Sequence, residues 1–228
     1  DAVILDRDTL TNTVAEGDPT PLVEHLRAQG IIPGLKTDEG LEDDPGHPGA
    51  AGVKLPKDRE LTKLPALLAQ ANKLGLDFTK YRTTIRANDP PEDNMRANAT
   101  VQARQAKAAQ AAGRVPIVEP EVIFDGSDGS PVTHDLAASA ATTTRVLTLT
   151  FEALTQEGVA LDGMVLKTSM ILAGKNAPEQ TDPEMVGFET LKGLLKAVPA
   201  QVPAIVFLSG GQGDDQATAN LDAIARAS

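Results

Sequence analysis

The sequence has 228 residues, of which 32 are acidic and 21 basic, so its formal net charge at pH 7 is -11. Nucleic acids and anionic membranes attract clustered positive charge, so this balance predicts that the protein binds neither. With 41% hydrophobic and 23% charged residues, the chain has the composition of a globular domain and not of a disordered segment.

Cysteine is absent from the sequence, which excludes disulfides, thiolate catalysis and zinc sites built on cysteine. No run approaches the roughly 20 apolar residues of a membrane-spanning helix. The first residues also lack the charged and apolar regions of a secretory signal. These features predict a cytoplasmic protein.

Short apolar, β-branched runs alternate along the chain with longer segments whose apolar residues recur at helical spacing. The predicted strands are residues 2–5, 31–35, 78–85, 115–123, 164–171 and 204–208. The predicted helices are residues 60–74, 98–111, 183–198 and 214–227.

Glycine and proline mark several boundaries of these elements. Gly75 and Gly113 follow two predicted helices as C-terminal stops, and Pro183 suits the first turn of another. Residues 39–58 are rich in Gly, Pro, Asp and Lys, and residues 124–131 are rich in Gly. Both segments are predicted to be irregular loops, which often carry function.

The segment 142–151 is rich in Thr and Val, so propensity alone favours a strand. However, Val146, Leu149 and Leu154 keep helical spacing after an alanine-rich lead-in. We therefore predict a helix there.

Alternating strands and helices predict an α/β fold, in which a parallel sheet is covered by helices. A dinucleotide-binding sheet would carry a glycine fingerprint after its first strand. Residues 5–12 contain no glycine, so a TIM barrel is the better prediction.

Polar residues lie within or just after five of the six predicted strands, although buried parallel strands are normally almost all apolar. They are Lys36, Asp38, Lys80, Arg82, Glu119, Glu121, Lys167, Ser209, Gly210 and Gly211. Residues two apart in a strand point to the same side, so the paired charges can project together. Successive members of the series Lys36, Lys80, Glu121, Lys167 and Ser209 are separated by 44, 41, 46 and 42 residues, and each separation fits one βα unit.

In a barrel, successive strand ends converge on one mouth, so this pattern gathers the charges around a shared cavity. The same residues could instead form separate surface ion pairs, which contribute little. Their recurrence on five strands favours the shared cavity.

Such a cluster permits imine chemistry. A lysine among other cations in a partly desolvated mouth loses its proton more readily and can attack a ketone to form a Schiff base. An adjacent carboxylate can then move protons during dehydration and carbon–carbon cleavage. The run Ser209-Gly210-Gly211 lets backbone amides approach an anion, which suggests a phosphorylated sugar as the ligand.

Four segments together resemble class I fructose-bisphosphate aldolase, the metal-free, Schiff-base enzyme of glycolysis and gluconeogenesis with a (β/α)8 barrel. They are residues 77–82, 115–122, 165–170 and 207–212, the last followed by Asn220-Leu221-Asp222-Ala223-Ile224. The resemblance covers essentially the whole chain. It implies reversible cleavage of fructose 1,6-bisphosphate to dihydroxyacetone phosphate and glyceraldehyde 3-phosphate, without a metal or cofactor, in a homotetramer.

The resemblance also implies that residues 1–228 form a single barrel domain with only the second to seventh of eight strands. The first strand, the last strand and the C-terminal tail would lie outside this sequence, with a first-strand aspartate and a last-strand arginine. Six strands cannot close a barrel, and the open edges would be prone to association. We therefore expect a piece of a larger enzyme, poorly stable and nearly inactive alone.

Site roles follow from the resemblance, position by position. Lys167 would form the imine, Glu119 would be the general acid and base, and Glu121 would sit beside them and tune the lysine. Lys80 would orient the substrate, Arg82 would bind near the distal phosphate, Lys36 would line the mouth held by Asp38, and Ser209 with Gly210 would cradle the phosphate at carbon 1. Thr168, Ser169 and Tyr81 depart from the Pro, Asn and Trp of the animal enzymes, which leaves the subtype open.

Several alternatives stay open on the sequence alone. His25, His47 and His134 lack metal-binding spacing and are predicted to lie at the surface, which favours imine chemistry over a metal-dependent route. The chain could be another Schiff-base enzyme, such as a transaldolase-like protein, or a non-catalytic sugar-phosphate binder or scaffold. The preference between a bisphosphate and a monophosphate is also open.

Overall fold

The computed structural model describes residues 1–15 and 18–228. The described strands, in chain order, are β1 (Ala2–Leu5), β2 (Thr13–Ala15), β3 (Asp18–Pro21), β4 (Ile32–Lys36), β5 (Leu41–Asp43), β6 (Lys54–Pro56), β7 (Phe78–Arg86), β8 (Val115–Ile123), β9 (Val165–Thr168) and β10 (Ile205–Phe207). The α-helices are α1 (Leu22–Ala28), α2 (Leu64–Lys73), α3 (Glu92–Ala111), α4 (Leu136–Gln156), α5 (Pro183–Ala197) and α6 (Asp214–Ala227), with short 3₁₀ helices at Arg7–Thr9 and Leu161–Gly163.

Six strands form one parallel sheet in the order β1-β4-β7-β8-β9-β10. Each strand of this sheet pairs with the next one along the chain, whereas a doubly wound sheet reverses its order at a switch point. This order, with helices in the crossovers, is that of a partial (β/α) barrel. The predicted fold class and the six parallel strands are confirmed.

The outer face of the sheet packs against the helices and forms the main hydrophobic core. Val118 and Val122 of β8 lie in this core with Leu147 and Leu154 of α4. Because side chains alternate along a strand, the neighbouring Glu119 and Glu121 point to the inner side. That inner side, the lumen of the half-barrel, holds the polar residues.

Helix ends follow from local sequence. The side chains of Asp135 and Asp182 accept hydrogen bonds from the backbone of the first turns of α4 and α5, as N-caps do. Gly75 and Gly113 follow α2 and α3 at φ +68° and +73°, in the left-handed region that favours glycine. The predicted glycine stops are therefore confirmed.

The segment 142–151 is helical as predicted, within α4. Its threonines are compatible with a helix because the hydroxyls of Thr148, Thr150 and Thr155 each donate to the carbonyl four residues earlier. These three hydroxyl groups thus find partners within the helix, whereas Thr142 donates to the carbonyl of Ala87 and the buried hydroxyl of Thr143 has no partner among the described residues.

Some boundaries were predicted wrongly. Helix α3 begins at Glu92 instead of residue 98, because its buried first turns carry amides that apolar periodicity cannot detect. Helix α2 begins at Leu64 instead of residue 60, after a turn with Leu61 at φ +56°. Strand β9 ends at Thr168, so residues 169–171 of the predicted strand continue without ladder pairing.

The segment 39–58 is not wholly irregular, because β5 and β6 pair there as an antiparallel hairpin. Helix α1 and the β2–β3 ribbon were also missed. His25 and His47 are partly exposed, but the prediction for His134 was wrong, since only 4% of it is exposed. Its ring packs on Gly174, where a Cβ would lie 2.8 Å from the ring carbon Cε1.

Candidate active site

The candidate site lies in the lumen, on the inner face of the central strands and just after them. The register of the sheet aligns Lys36 of β4 with Lys80 of β7, and Arg82 of β7 with Glu119 of β8. On β9, Lys167 points inward because its neighbour Leu166 lies in the outer core. The sheet therefore brings together charged residues that lie far apart in the sequence.

Glu119 is the centre of this arrangement, because its carboxylate contacts two lysines. Its Oε1 lies 2.9 Å from Lys167 Nζ, and its Oε2 lies 3.0 Å from Lys80 Nζ. Lys80 also donates a hydrogen bond of 3.0 Å to Asp38 Oδ2. A continuous chain of alternating charges thus crosses four adjacent strands, β4, β7, β8 and β9.

Exposure differs sharply within this chain of charges. The Lys167 side chain is 23% exposed, whereas the Glu119 side chain is only 4% exposed. Lys80 and Asp38 are buried as well. Lys167 is therefore the amine that a ligand in the lumen can reach, and the other three groups form its buried support.

A second ion pair joins Arg82 to Glu121, through a hydrogen bond from Nε to Oε2. Burial raises the pKa of Glu121 above its ordinary value, although the nearby guanidinium opposes this effect. Burial works against the charge of Arg82, but the hydrogen bond and charge of Glu121 dominate and raise its pKa. Glu121 thus pairs with Arg82 and not with the lysine that it was expected to tune.

Lys36 is partly exposed, and Asp38 does not hold it as was expected. Its Nζ lies 3.1 Å from Asp6 Oδ1, just after β1, while Asp38 pairs with the buried Lys80. The reason is burial, since the deep carboxylate takes the deep ammonium and the more exposed Lys36 reaches across to the neighbouring strand end. Sequence reasoning missed Asp6, although it comes just after β1 as Asp38 comes just after β4.

The loop after β10 carries Ser209 and Gly210, with Gly210 at φ +63° and Gly211 at φ +91°. A Cβ on Gly211 would lie 2.3 Å from Asp125 Oδ2, so glycine is required for this close approach. A Cβ on Gly210 would lie 3.8 Å from Glu121 Oε1, which locates the loop beside the second ion pair.

Two buried amides fix this loop. Gln212 donates to the carbonyl of Ser209 at 2.8 Å, and Asn220 of α6 donates to Gln212 Oε1 at 2.7 Å. Asn220 belongs to the motif noted in the sequence, yet its role as a support for the loop was not foreseen. Helix α6 therefore helps to hold Ser209 and Gly210 at the lumen.

Two departures from the family pattern have structural explanations. The hydroxyl of Ser169 accepts from the backbone of Val122 at 2.9 Å and donates to its carbonyl at 3.1 Å. It thus ties the end of β8 to the chain after β9. Tyr81 points away from the lumen and is buried, and this burial raises its pKa.

Residues 1–15 and 18–228 show neither a metal-binding cluster nor a membrane-spanning helix. There, no three His, Asp or Glu side chains are grouped as a metal ion would require. Nor does any helix in these residues have the length and apolar character needed to cross a membrane.

A singly wound half-barrel with a lysine beside a carboxylate on its inner face defines a (β/α) barrel protein with a candidate imine site. A family model described as fructose-bisphosphate aldolase class-I, glycolytic, matches residues 1–228. The chain belongs to the class I fructose-bisphosphate aldolase family.

Individual relatives agree with this assignment. The cytoplasmic isozyme 2 of fructose-bisphosphate aldolase from Pisum sativum is 39% identical over 224 residues, which are 97% of this chain and 58% of the relative. A probable class 1 fructose-bisphosphate aldolase from Xanthomonas axonopodis pv. citri is 40% identical over 207 residues, which are 90% of this chain and 59% of the relative.

The structural comparison gives the same family. A solved aldolase from Plasmodium falciparum, in complex with TRAP and a small-molecule inhibitor, superposes with a TM-score of 0.88 at 34% identity. The match covers 98% of this chain and 62% of that one. The chain thus spans less than two thirds of the length of the relatives that it matches.

Proposed function

We propose that this chain carries the catalytic centre of a fructose-bisphosphate aldolase that works through a Schiff base on Lys167. The observation that carries the proposal is the position of Glu119, whose carboxylate oxygens lie 2.9 Å from Lys167 and 3.0 Å from Lys80. One carboxylate can therefore exchange protons with the reacting amine while a second cation stabilises it. The proposed reaction is the reversible cleavage of fructose 1,6-bisphosphate into two triose phosphates.

In the first step, neutral Lys167 adds to the ketone carbon C2 of the sugar. The new N–C bond forms as the carbonyl electron pair moves to oxygen, which takes a proton and gives a carbinolamine. Glu119 is close enough to accept the proton from nitrogen and to deliver one to the hydroxyl, which leaves as water. The product is a protonated imine.

In the second step, the imine serves as an electron sink for carbon–carbon cleavage. A base, for which Glu119 is the candidate, removes the proton from the C4 hydroxyl, and the C3–C4 electron pair moves toward the imine to form an enamine. Glyceraldehyde 3-phosphate leaves as the aldehyde. Protonation of the enamine at C3 and hydrolysis of the imine then release dihydroxyacetone phosphate and regenerate Lys167.

The remaining residues would bind and orient the substrate. Lys80 would orient the substrate hydroxyls and hold the carboxylate of Glu119 in place, with Asp38 behind it. Ser209 and Gly210 would receive the phosphate at carbon 1, since left-handed backbone at adjacent glycines turns amides toward an anion. Arg82 and Lys36 would attract the distal phosphate. Glu121, paired with Arg82, would act by holding that guanidinium in place.

Borohydride trapping tests the proposal. The full-length protein is incubated with dihydroxyacetone phosphate and reduced with sodium borohydride, and the modified peptide is mapped by mass spectrometry. We expect one adduct on Lys167, which Lys167→Met abolishes. The exposed lysine variant Lys192→Met serves as the matched control and should keep the adduct. A folded protein that gives no adduct would contradict the imine mechanism.

We also propose that the protein is cytoplasmic and assembles as a homotetramer. The two Pisum sativum relatives are named as cytoplasmic isozymes, which supports the first point. The tetramer and the single-domain organisation of residues 1–228 stay predictions. Light scattering of the purified protein tests the tetramer, and a single cooperative unfolding transition tests the single domain.

A further inference from the structure

Helix α3 presents amides to the sheet where an amphipathic helix normally presents apolar side chains. We call this row the amide stripe, and it consists of Asn94, Asn98, Gln102 and Gln105. All four residues are buried, and they recur at spacings of four, four and three residues, as one helical face requires. Burying an amide is unfavourable unless it forms hydrogen bonds, so the stripe calls for an explanation.

The first two amides hold the β5–β6 hairpin. Asn94 Nδ2 donates to Asp44 Oδ2 at 2.7 Å and to the carbonyl of Lys54 at 3.0 Å. Asn98 donates to the same carbonyl at 3.0 Å. Two of the four buried amides are therefore accounted for by their contacts with the hairpin.

Gln105 makes a different set of contacts. Its Nε2 donates to the hydroxyl oxygens of Thr37 at 3.2 Å and of Thr79 at 3.0 Å. These threonines immediately precede Asp38 and Lys80, the two buried charges behind the proposed acid–base group. One side chain thus joins the end of β4 to the beginning of the neighbouring β7.

The alternation of side chains along the strands links the contacts of Gln105 to the lumen. Thr37 and Thr79 face the helices, so the residues that follow them face the lumen. Thr37 also fixes the backbone of Lys80, to whose carbonyl it donates from its amide at 2.9 Å and from its hydroxyl at 3.2 Å. A shift of either threonine would therefore move the Asp38–Lys80 pair.

Stability alone does not account for Gln105. Its Oε1 is buried and has no hydrogen-bond partner among the described residues, which is unfavourable. A methionine would fill a similar volume without that penalty. The amide is therefore explained better by its two donated hydrogen bonds than by the packing of the helix.

We propose that Gln105 is a positioning residue, which holds Lys80 and Asp38 at the distance from Glu119 that the chemistry needs. We call the two hydrogen bonds from Gln105 to Thr37 and Thr79 the brace. This inference rests on the proposed aldolase function, because it assigns the brace a role in that reaction. The proposed constraint on the position of Lys80 can be measured without the aldolase reaction.

The test compares Gln105→Met with Gln102→Met in the full-length protein. Gln102 lies on the same face of α3 and is equally buried, but neither of its amide atoms has a hydrogen-bond partner among the described residues. The two substitutions thus remove the same group from the same environment, and only one of them removes the brace. Thr79→Val, which removes one acceptor of the brace, is the second variant should Gln105→Met fail to fold.

Steady-state kinetics provides the first readout, at a temperature where all variants are folded. We expect Gln105→Met to lower kcat about tenfold with KM changed less than about twofold, because misplacing a catalytic group slows the reaction more than it weakens binding. Thr79→Val should lower kcat by less, and Gln102→Met should leave it unchanged. A purely structural role would lower stability without this split between kcat and KM.

Amine labelling of Lys80 provides the second readout. The proteins are treated briefly with an acetylating reagent, and labelling of Lys80 is compared with that of exposed Lys192 by peptide mass spectrometry. We expect the ratio to rise at least about threefold in Gln105→Met and to stay unchanged in Gln102→Met, because the brace limits local opening. Unchanged labelling of Lys80, or an unchanged kcat in an active protein, overturns the proposal. An inactive wild-type protein in which Lys80 labelling still responds to Gln105→Met refutes the aldolase function and leaves the brace supported.

Discussion

Replacing Glu119 with glutamine removes one charge from between two lysines and keeps the shape of the side chain. At separations of 2.9 and 3.0 Å and an effective dielectric constant of about 20, each ion pair contributes roughly 5 to 6 kcal/mol of Coulomb energy. Desolvation of the buried carboxylate opposes this by several kcal/mol. Both terms disappear together in Glu119→Gln.

The net loss of stability should be modest. Lys80 keeps Asp38 as a partner, and Lys167 is partly exposed to solvent. We therefore expect the free energy of unfolding to fall by about 2 kcal/mol, less than the roughly 3 to 5 kcal/mol typical when a buried charge is left alone. Urea denaturation of the wild-type and variant proteins measures this difference.

The loss of activity should be much larger, because general acid–base catalysis contributes roughly 100- to 10,000-fold to a rate. We expect kcat for fructose 1,6-bisphosphate cleavage to fall within that range in Glu119→Gln, measured by release of triose phosphate. The control Glu189→Gln removes an exposed carboxylate on α5, paired there with Lys192, and should leave kcat unchanged. A kcat for Glu119→Gln within about threefold of the wild type would refute the acid–base role.

Three further predictions concern stability and the phosphate loop. Burial lowers the pKa of His134, so the unfolded chain binds the proton more tightly, and the free energy of unfolding should fall as the pH drops below the ordinary value of 6.5. One site can change the free energy of unfolding by at most about 1.4 kcal/mol per pH unit, and His134→Gln should remove this contribution. An unchanged pH dependence in denaturation curves of the variant would contradict the prediction. Gly211→Ala should clash with Asp125, destabilise the protein by about 1 to 3 kcal/mol and raise KM for the bisphosphate. The control Gly213→Ala, at φ -66° with no described atom within 4 Å of the added Cβ, should leave KM unchanged and lower stability by about 1 kcal/mol at most, because Gly213 is the N-cap of α6. Equal effects of the two on KM would argue against the loop's role. Thr168→Val removes a buried hydroxyl that has no hydrogen-bond partner in the described residues, and it should raise the free energy of unfolding by about 1 kcal/mol. A variant that is less stable than the wild type in urea would contradict this and show that the hydroxyl has a partner.

The order of elements could be predicted because periodicity reports which faces are buried. Strand β8 and helix α6 have the predicted bounds, since apolar spacing and flanking residues agree there. The early start of α3 could not be predicted in this way, because its buried face begins with Asn94 and Asn98. The hairpin within residues 39–58 was hidden by a composition typical of loops.

The inward direction of the site residues was predictable from the alternation of side chains along each strand. The choice of partners was not. Lys36 contacts Asp6, and Lys80 contacts Asp38, because the register of the sheet and the depth of each group decide which charges meet. The brace formed by Gln105 depends on a helix packing across two strands, which single-sequence patterns do not report.

The most direct test of the central claim is a crystal structure of the full-length protein soaked with dihydroxyacetone phosphate. We expect continuous electron density from Lys167 Nζ to C2 of the ligand, with Glu119 in hydrogen-bonding contact and the phosphate on the loop of Ser209 and Gly210. Ligand bound in the lumen without a covalent link to Lys167, or linked to another lysine, would contradict it.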